Sequence, residues 1–301
     1  MKITDRQIEI LEKFACERLH SNSSNLSLIK NFYSERGSGL VDYLNKNGPR
    51  EDASGETAFY LIKNENGQPC LFFALKCGAL FEPFDEQKLE IQIEQAKNIL
   101  EMLSNPDADE EKRKKLFAEL ECIRQQGNMT VDQVITAVVE RANSQKTTYQ
   151  NALKMLENDR IREGKRPILR VGKTYSGVEI THFCTDDNVV EVMKDNWKKE
   201  GFRYPIGQTL FWYKIVPIIC KLQESAGCQF AFLFAADKTP DGALTTYYNV
   251  ALKFEKLQNV GTSKPFYDFC CEFMSQEVNN LKTGRDFFLN NFNPDIDDEI
   301  I

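Results

Sequence analysis

Apolar positions along this chain change period several times, and the changes divide it into elements. Ile8, Leu11, Ala15 and Leu19 recur at three- and four-residue steps and predict an opening helix, with Thr4 and Gln7 spaced as a capping box ahead of it. Residues 25–33 read as a strand and 39–45 as a short helix stopped at Gly48-Pro49. Two runs rich in aromatic and aliphatic residues, 57–62 and 70–75, flank Asn64-Glu-Asn-Gly67 and predict a β-hairpin. From 85 to 163 the period becomes helical. Leu89, Ile93, Ala96, Leu100 and Leu103 form one stripe, and further stripes follow at Leu116, Leu120 and Ile123, at Val131, Ile135 and Val138, and at Leu153 and Leu156. Asn105-Pro106 and Gly127-Asn128 interrupt it, so several antiparallel helices are expected.

Beyond this segment, 178–184 predicts a strand, 188–199 an amphipathic helix, 201–208 a loop and 209–225 a strongly apolar helix. The nearly unbroken apolar run 229–235 predicts a strand buried on both faces. A helix over 243–252, strand-like stretches near 254–260 and 267–273, and an acidic tail complete the reading. The fold class is therefore α/β (α+β): a mixed, mostly antiparallel central sheet flanked by helices, with a helical insertion. Residues 1–84 form an opening helix and the first half of the sheet, 85–163 the insertion, 164–290 the second half of the core, and 291–301 the tail.

At 301 residues, with 42% hydrophobic and 28% charged positions, the chain can bury a large core without staples. Its formal net charge of −7 removes any global attraction to nucleic acid or anionic membrane. Nine cysteines without a C-x-x-C and two histidines, His20 and His182, give no zinc pattern, so no metal is expected. The odd cysteine count, the placement of Cys70, Cys77 and Cys220 in apolar runs and the lack of a leader pattern point to a reducing cytoplasm. No apolar run approaches the ~20 residues that a membrane helix needs.

Chemistry concentrates between Gly177 and Leu252. A glycine just before a helix leaves backbone N–H groups free to bind an anion, and Tyr204-Pro-Ile-Gly207-Gln-Thr209 has that pattern beside Arg203. Tyr247 and Tyr248 are neighbours on one predicted helix and point in different directions, so one of them reads as core. Glu179 offers a carboxylate base and His182 an imidazole on the predicted 178–184 strand. Strict alternation turns these two to opposite faces, so they are not expected to serve one amine together.

The order of hairpin, strand, phosphate loop, apolar helix, buried strand and tyrosine-bearing helix resembles the GNAT superfamily of acyl-CoA-dependent N-acyltransferases. Glu179-Ile180 followed by Phe183-Cys184 resembles the family's central strand, and 204–209 its pyrophosphate loop, with Tyr204 in place of Gln or Arg and Thr209 in place of a small residue. Leu244-Thr-Thr-Tyr-Tyr-Asn249 with Phe254 is similar to the tyrosine helix, with five residues in place of four before the Phe and Lys253 where glycine is common. The resemblance implies transfer of an acetyl or similar acyl group from acetyl-CoA, as co-substrate, to an amine. It implies Tyr248 as acid toward the thiolate and Glu179 as base. Donor contacts would come from Phe183, Cys184, Arg203, Tyr204, Ile206, Gly207, Gln208 and Thr209. The acceptor amine, on a small molecule, a protein or an aminoacyl-tRNA, is left open, although the acidic balance disfavours nucleic acid. A protein partner at the helical insertion belongs to the alternative reading, a fold kept for binding without turnover.

Overall fold

The computed structural model describes residues 1–83, 95, 98–99, 102, 109–126, 171–236, 242–256, 262 and 271–293. The chain divides into two compact units, one of Met1–Leu80, Tyr175–Gln258 and Thr262–Ile301, the other of Phe81–Thr174 and Asn259–Gly261. In the second unit the described residues include helix α5 (Glu110–Gln126), whose acidic first turn carries Glu110 and Glu111. The stripes at 131–142 and 149–156 lie outside the described residues.

In the first unit, helix α1 (Asp5–Glu12) starts at the predicted capping box: the Gln7 backbone N–H donates to Thr4 Oγ1 at 3.2 Å, and the Gln7 side chain accepts from the Thr4 N–H at 3.0 Å. It stops earlier than its apolar stripe predicts. Ala15–Arg18 forms β1, antiparallel to β2 (Ala58–Lys63), because Leu11 and Leu19 are buried in separate clusters on the two faces of the sheet. A strand between them delivers one to each face. Residues 25–33 are also helical in part, with α2 (Asn25–Leu28) followed by a 3₁₀ turn, which sends Ile29 and Phe32 into the core where a strand was predicted. Helix α3 (Ser38–Lys46) is followed at once by α4 (Gly48–Ser54). Gly48-Pro49 thus begins a helix as well as ending one, since proline is tolerated where no N–H is needed.

The buried Asp52 carboxylate fastens α4 to the sheet. It accepts from Arg18 Nε, the His20 N–H and the Phe59 N–H, each at 2.8 Å. Charge-assisted bonds of this kind are the strong ones, and three together offset the burial of the charge.

The hairpin runs as predicted through β2 and the longer β3 (Pro69–Pro83), with Gly67 at φ 75° in the turn. The open six-stranded sheet has the order β1-β2-β3-β4-β5-β6, with β4 at Val171–Thr185, β5 at Phe230–Ala235 and β6 at Glu272–Glu277. The β4–β5 pair is parallel; β1–β2, β2–β3 and β5–β6 are antiparallel. One face carries Leu71, Phe73, Val178, Ile180, Ala231 and Leu233 under α1, α6 (Asp187–Lys199), a helical segment that begins at Ile206, and α10 (Val278–Asn290). The other carries Phe59, Leu61, Phe72 and Ala74 under the helices at 25–54. The sequence reading did not separate α10 from the end of the core. Of the two strand-like stretches predicted near the C-terminus, Glu255 makes only an isolated bridge to Ser275, and 257–260 and 263–270 lie outside the described residues.

Two irregularities set up the site. The ladder between β4 and β5 consists of Gly177↔Phe230, Val178↔Ala231 and Glu179↔Phe232, after which the strands part while β5 stays paired with β6 to Ala235. The Phe232 ring lies over Gly78 and Gly177, where an added Cβ would come within 2.5 Å and 3.0 Å of it. The second is a slip in the alternation of β4. Val178 and Ile180 face the first cluster, yet so does Phe183, while His182 and Cys184 face the other. One extra residue at this point turns Glu179 and His182 to the same face, contrary to strict alternation.

His182 sits against Tyr43 at 4.7 Å and Phe59 at 5.4 Å between ring centroids, and its Nδ1 is 2.9 Å from Thr181 Oγ1. Burial pulls its pKa down to about 4, opposed in part by Glu51. It is a neutral scaffold residue.

Gly177→Val should destabilise the fold by about 1–3 kcal/mol in urea denaturation, because the new side chain overlaps Leu80 and Phe232. Phe232→Leu in the same chain should recover part of the loss, and additive losses would show that the ring is not what the glycine accommodates. The folded pKa of His182 lies below its unfolded value of about 6.5. Protons therefore bind the unfolded chain first, and the stability this residue permits at neutral pH is lost as pH falls from about 6.5 through about 4. In His182→Phe that component should be missing, so the variant gains on the wild type by roughly 2–3 kcal/mol between pH 7 and pH 4. Parallel stability–pH curves would mean that the imidazole is not held neutral.

Candidate active site

The gap between β4 and β5 is bordered by a helix that starts with its N–H groups uncapped. The helical segment runs without interruption from α7 (Ile206–Leu210) through a π-helical turn (Phe211–Ile215) into α8 (Val216–Ala226). It begins three residues before the predicted start, because Pro205 takes the N-cap position and Ile206 is buried. Gly207 consequently lies in the first turn. Pro205 has no side chain with which to cap that turn, so the N–H groups of the first turn point outward with the positive end of the helix. An added Cβ on Gly207 would lie 3.1 Å from Thr185 Cγ2, 3.8 Å from Phe183 Cζ and 3.9 Å from the Tyr247 hydroxyl. The end of β4, the helix start and the tyrosine helix α9 (Ala243–Val250) therefore meet at one point.

The other residues of the 203–209 segment divide between surface and scaffold. Arg203 is exposed beside the helix start. Tyr204 packs against Phe288 and Phe292 of the C-terminal region, with ring centroids at 4.8 and 5.5 Å, and its carbonyl accepts from Trp197 Nε1 at 2.9 Å. Thr209 is fully buried, and its hydroxyl donates back to the Pro205 carbonyl at 3.1 Å. Gln208 reaches the Ala251 carbonyl at 3.4 Å. Tyr204 and Thr209 thus hold the loop in place, and the buried Gly207 lets the helix start lie against Thr185 at the end of β4.

On α9 the two tyrosines separate. Both are half-buried, and among the described residues neither hydroxyl has a hydrogen-bond partner. Tyr247 reaches Gly207. Tyr248 packs against the first cluster, with the Tyr247 ring beside it at 5.9 Å between centroids. Burial raises the pKa of Tyr247 to about 12 and raises that of Tyr248 further, with Tyr247 and Cys184 adding to it, so both are O–H donors at neutral pH. The extra residue before Phe254 is absorbed at the helix end: the Phe254 N–H reaches back to the Tyr248 carbonyl at 3.0 Å, the Lys253 N–H bonds the Asn249 carbonyl, and the Asn249 side chain bonds the Phe254 carbonyl at 2.9 Å. Lys253 takes φ 63°, the left-handed conformation that glycine reaches without strain.

Glu179 occupies the last rung before the strands part, opposite Phe232. Burial raises the pKa of its half-buried carboxyl, with Lys76 opposing. Cys184 is buried near the end of β4, where the Ser34 hydroxyl meets it and an added Cβ on Gly37 would come within 2.5 Å of its sulfur; burial raises its pKa to about 11. Asp186 holds this corner together. It accepts from the Val189 N–H as N-cap of α6 and from the Tyr33 N–H, both at 2.9 Å, while its own N–H donates to the Cys70 carbonyl. An Asp three residues before the stripe Val189, Val190, Met193 and Trp197 is a readable N-cap signal, whereas the roles of Ser34, Gly37 and Thr185 have no local signal. Among the described residues no group of His, Cys, Asp and Glu is arranged to hold a metal, and no helix is long and apolar enough to cross a membrane.

No protein-family model and no curated protein sequence matches the chain. Among solved structures it is similar to a mutant of KacT, at 9% identity and a TM-score of 0.43 over 90% of this chain and 98% of the other. It is likewise similar to a mutant of the toxin AtaT, at 10% identity and 0.43 over 94% and 96%, and to AtaTR bound with AcCoA, at 9% and 0.43 over 90% and 98%. At these identities and TM-scores the likeness carries no conclusion about this chain. The strand order, the short parallel ladder that opens after Glu179, and the helix start and tyrosine helix that meet beside the opening make up the mixed, mostly antiparallel sheet flanked by helices that the sequence predicts.

Proposed function

We propose that the protein is an N-acyltransferase that moves an acetyl or similar acyl group from acyl-CoA to an amine by direct attack. The observation that carries this reading is the opening of the sheet after Glu179↔Phe232, met by an uncapped helix start at Gly207 and by the helix that bears Tyr247 and Tyr248. The free edge of β4 around Phe183 and Cys184 has backbone groups to pair with a pantetheine arm. The first-turn N–H groups of Ile206, Gly207 and Gln208, with Arg203 alongside, suit a pyrophosphate. Tyr204 and Thr209 position this loop rather than touch the donor.

In the reaction, the amine nitrogen attacks the thioester carbonyl carbon and the C–S bond then breaks. Tyr248 gives its proton to the departing thiolate, and the nitrogen loses a proton toward Glu179. Along β4, Glu179 lies roughly 15 Å from Cys184, so its part is taken through ordered water. The raised pKa of Glu179 brings it nearer to that task, and the burial of Tyr248 keeps its proton in place until negative charge forms on sulfur.

A second reading, in which the fold is kept as a binding module with residues 85–163 as an inserted partner surface, is favoured by the internal engagement of Tyr204 and Thr209. Titration calorimetry with acetyl-CoA separates the two. The wild type should bind, and Gly207→Asp should remove the heat by placing a charged side chain where the backbone must approach the phosphates; absence of heat from the wild type would favour the binding module. With the donor bound and a panel of amines supplied, release of free CoA should fall 10²–10⁴-fold in Tyr248→Phe while donor affinity stays within a few-fold. Wild-type turnover in that variant would exclude Tyr248 as the acid.

A further inference from the structure

We propose that Lys76 is a positioning residue for the candidate base, an ammonium set opposite Glu179 on the neighbouring strand that holds this carboxyl in its ionised form. This deepens the acyl-CoA reading and rests on it. The placement follows from the register of β3 and β4, which are neighbours in the sheet. The Thr181 hydroxyl donates to the Ala74 carbonyl at 3.4 Å, and an added Cβ on Gly177 would meet the Leu80 side chain and the same Phe232 ring that lies over Gly78. Residue numbers fall along one strand as they rise along the other, so the two run antiparallel. Lys76, midway between Ala74 and Gly78, therefore comes beside Glu179, midway between Thr181 and Gly177. The faces agree with the register. Leu75, Val178 and Ile180 pack in the first cluster and Ala74 in the other, so alternation turns Lys76 and Glu179 to the same side of the sheet.

The two flanks of Glu179 act in opposite directions. On β5 its partner is Phe232, a fully buried ring, and a carboxylate beside it loses water and is driven toward the protonated form. On β3 the Lys76 ammonium favours the charged form that a base must have. Lys76 also meets Glu56, with Nζ 3.5 Å from Oε1. Both of these side chains are part-exposed, so their pair is a weak one and leaves the positive charge available to Glu179. The other ionisable groups of this face gather further along β4, where Tyr43 and Glu51 lie by the neutral imidazole of His182. Among the described residues, Lys76 is the charged group that acts on Glu179. The base thus takes its burial from one neighbouring strand and its compensation from the other.

The test reads the carboxyl directly and then through the reaction. In the full chain, isotopically labelled at its glutamate carboxyls and observed by NMR, the Glu179 signal is assigned by its loss in Glu179→Gln. Its titration midpoint should move to higher pH in Lys76→Met and return to the wild-type position in Lys76→Arg, which keeps the charge. Removing one positive charge at this range changes the ionisation equilibrium about fivefold. Release of CoA from acetyl-CoA with a panel of amines should therefore fall about fivefold in Lys76→Met on the acidic limb of the pH profile, and the loss should shrink as the pH rises past the new midpoint. An unmoved Glu179 midpoint would overturn the proposal, and so would an equal loss of turnover at every pH, which places Lys76 in packing or substrate binding. A thermal melt checks folding, and Lys76→Gln replaces Lys76→Met if the latter does not fold. A wild type that binds no acetyl-CoA defeats the acyl-CoA reading and, with it, the role given to Lys76. A wild type that turns over, beside a Lys76→Met protein whose Glu179 midpoint has not moved, keeps that reading and defeats this inference alone.

Discussion

Parallel strands keep pairing unless something holds each of them elsewhere, and in this protein β4 and β5 are held apart after three rungs. β5 remains paired to β6 through Ala235. β4 takes an extra residue near Thr181 and ends at Thr185, and the carboxylate of the next residue, Asp186, ties that corner to Tyr33 and to the start of α6. The Phe232 ring, laid over Gly78 and Gly177, fills the face at the point of divergence, so the two strands open from a packed vertex. The free edge of β4 and the position of Glu179 at the last rung both follow from that opening.

The N-terminal helices depend on buried carboxylates in a related way. Asp52 and Asp186 each accept several N–H groups from elements far apart in sequence, which compensates their burial and fixes the geometry of what they join. Through Asp52 the α4 helix is locked to β1 and β2. Through Asp186 the segment containing Ser34 and Gly37 is brought against Cys184. Neither carboxylate belongs to the candidate chemistry, yet both decide where that chemistry can occur.

Burial acts in one direction on the acidic groups around the opening. Desolvation raises the pKa of Tyr247, Tyr248, Cys184 and Glu179, so the phenols and the thiol keep their protons and the carboxyl of Glu179 is a weaker acid than an exposed one. Such an environment suits a substrate that brings its own negative charge at one end and develops more at the other.

Local physics made much of this legible in the sequence. The capping box at Thr4 and Gln7, the hairpin around Gly67 and the apolar β5 are short-range patterns, and each is formed where the residues indicate. The resemblance in element order was legible for the same reason, since it is a sequence of local elements. Decisions that weigh one element against another were not. Ala15–Arg18 is a strand because Leu11 and Leu19 must reach opposite cores, and residues 25–33 turn helical because Ile29 and Phe32 must point into one. The faces of Glu179 and His182 changed with a single extra residue in β4, which period-two alternation cannot register. The division of Tyr247 from Tyr248 was likewise open in the sequence, where helical geometry says only that two neighbours differ in direction. That Tyr247 is the one that meets Gly207 is set by where α9 lies relative to the opening, a matter of packing between distant segments that no local pattern encodes.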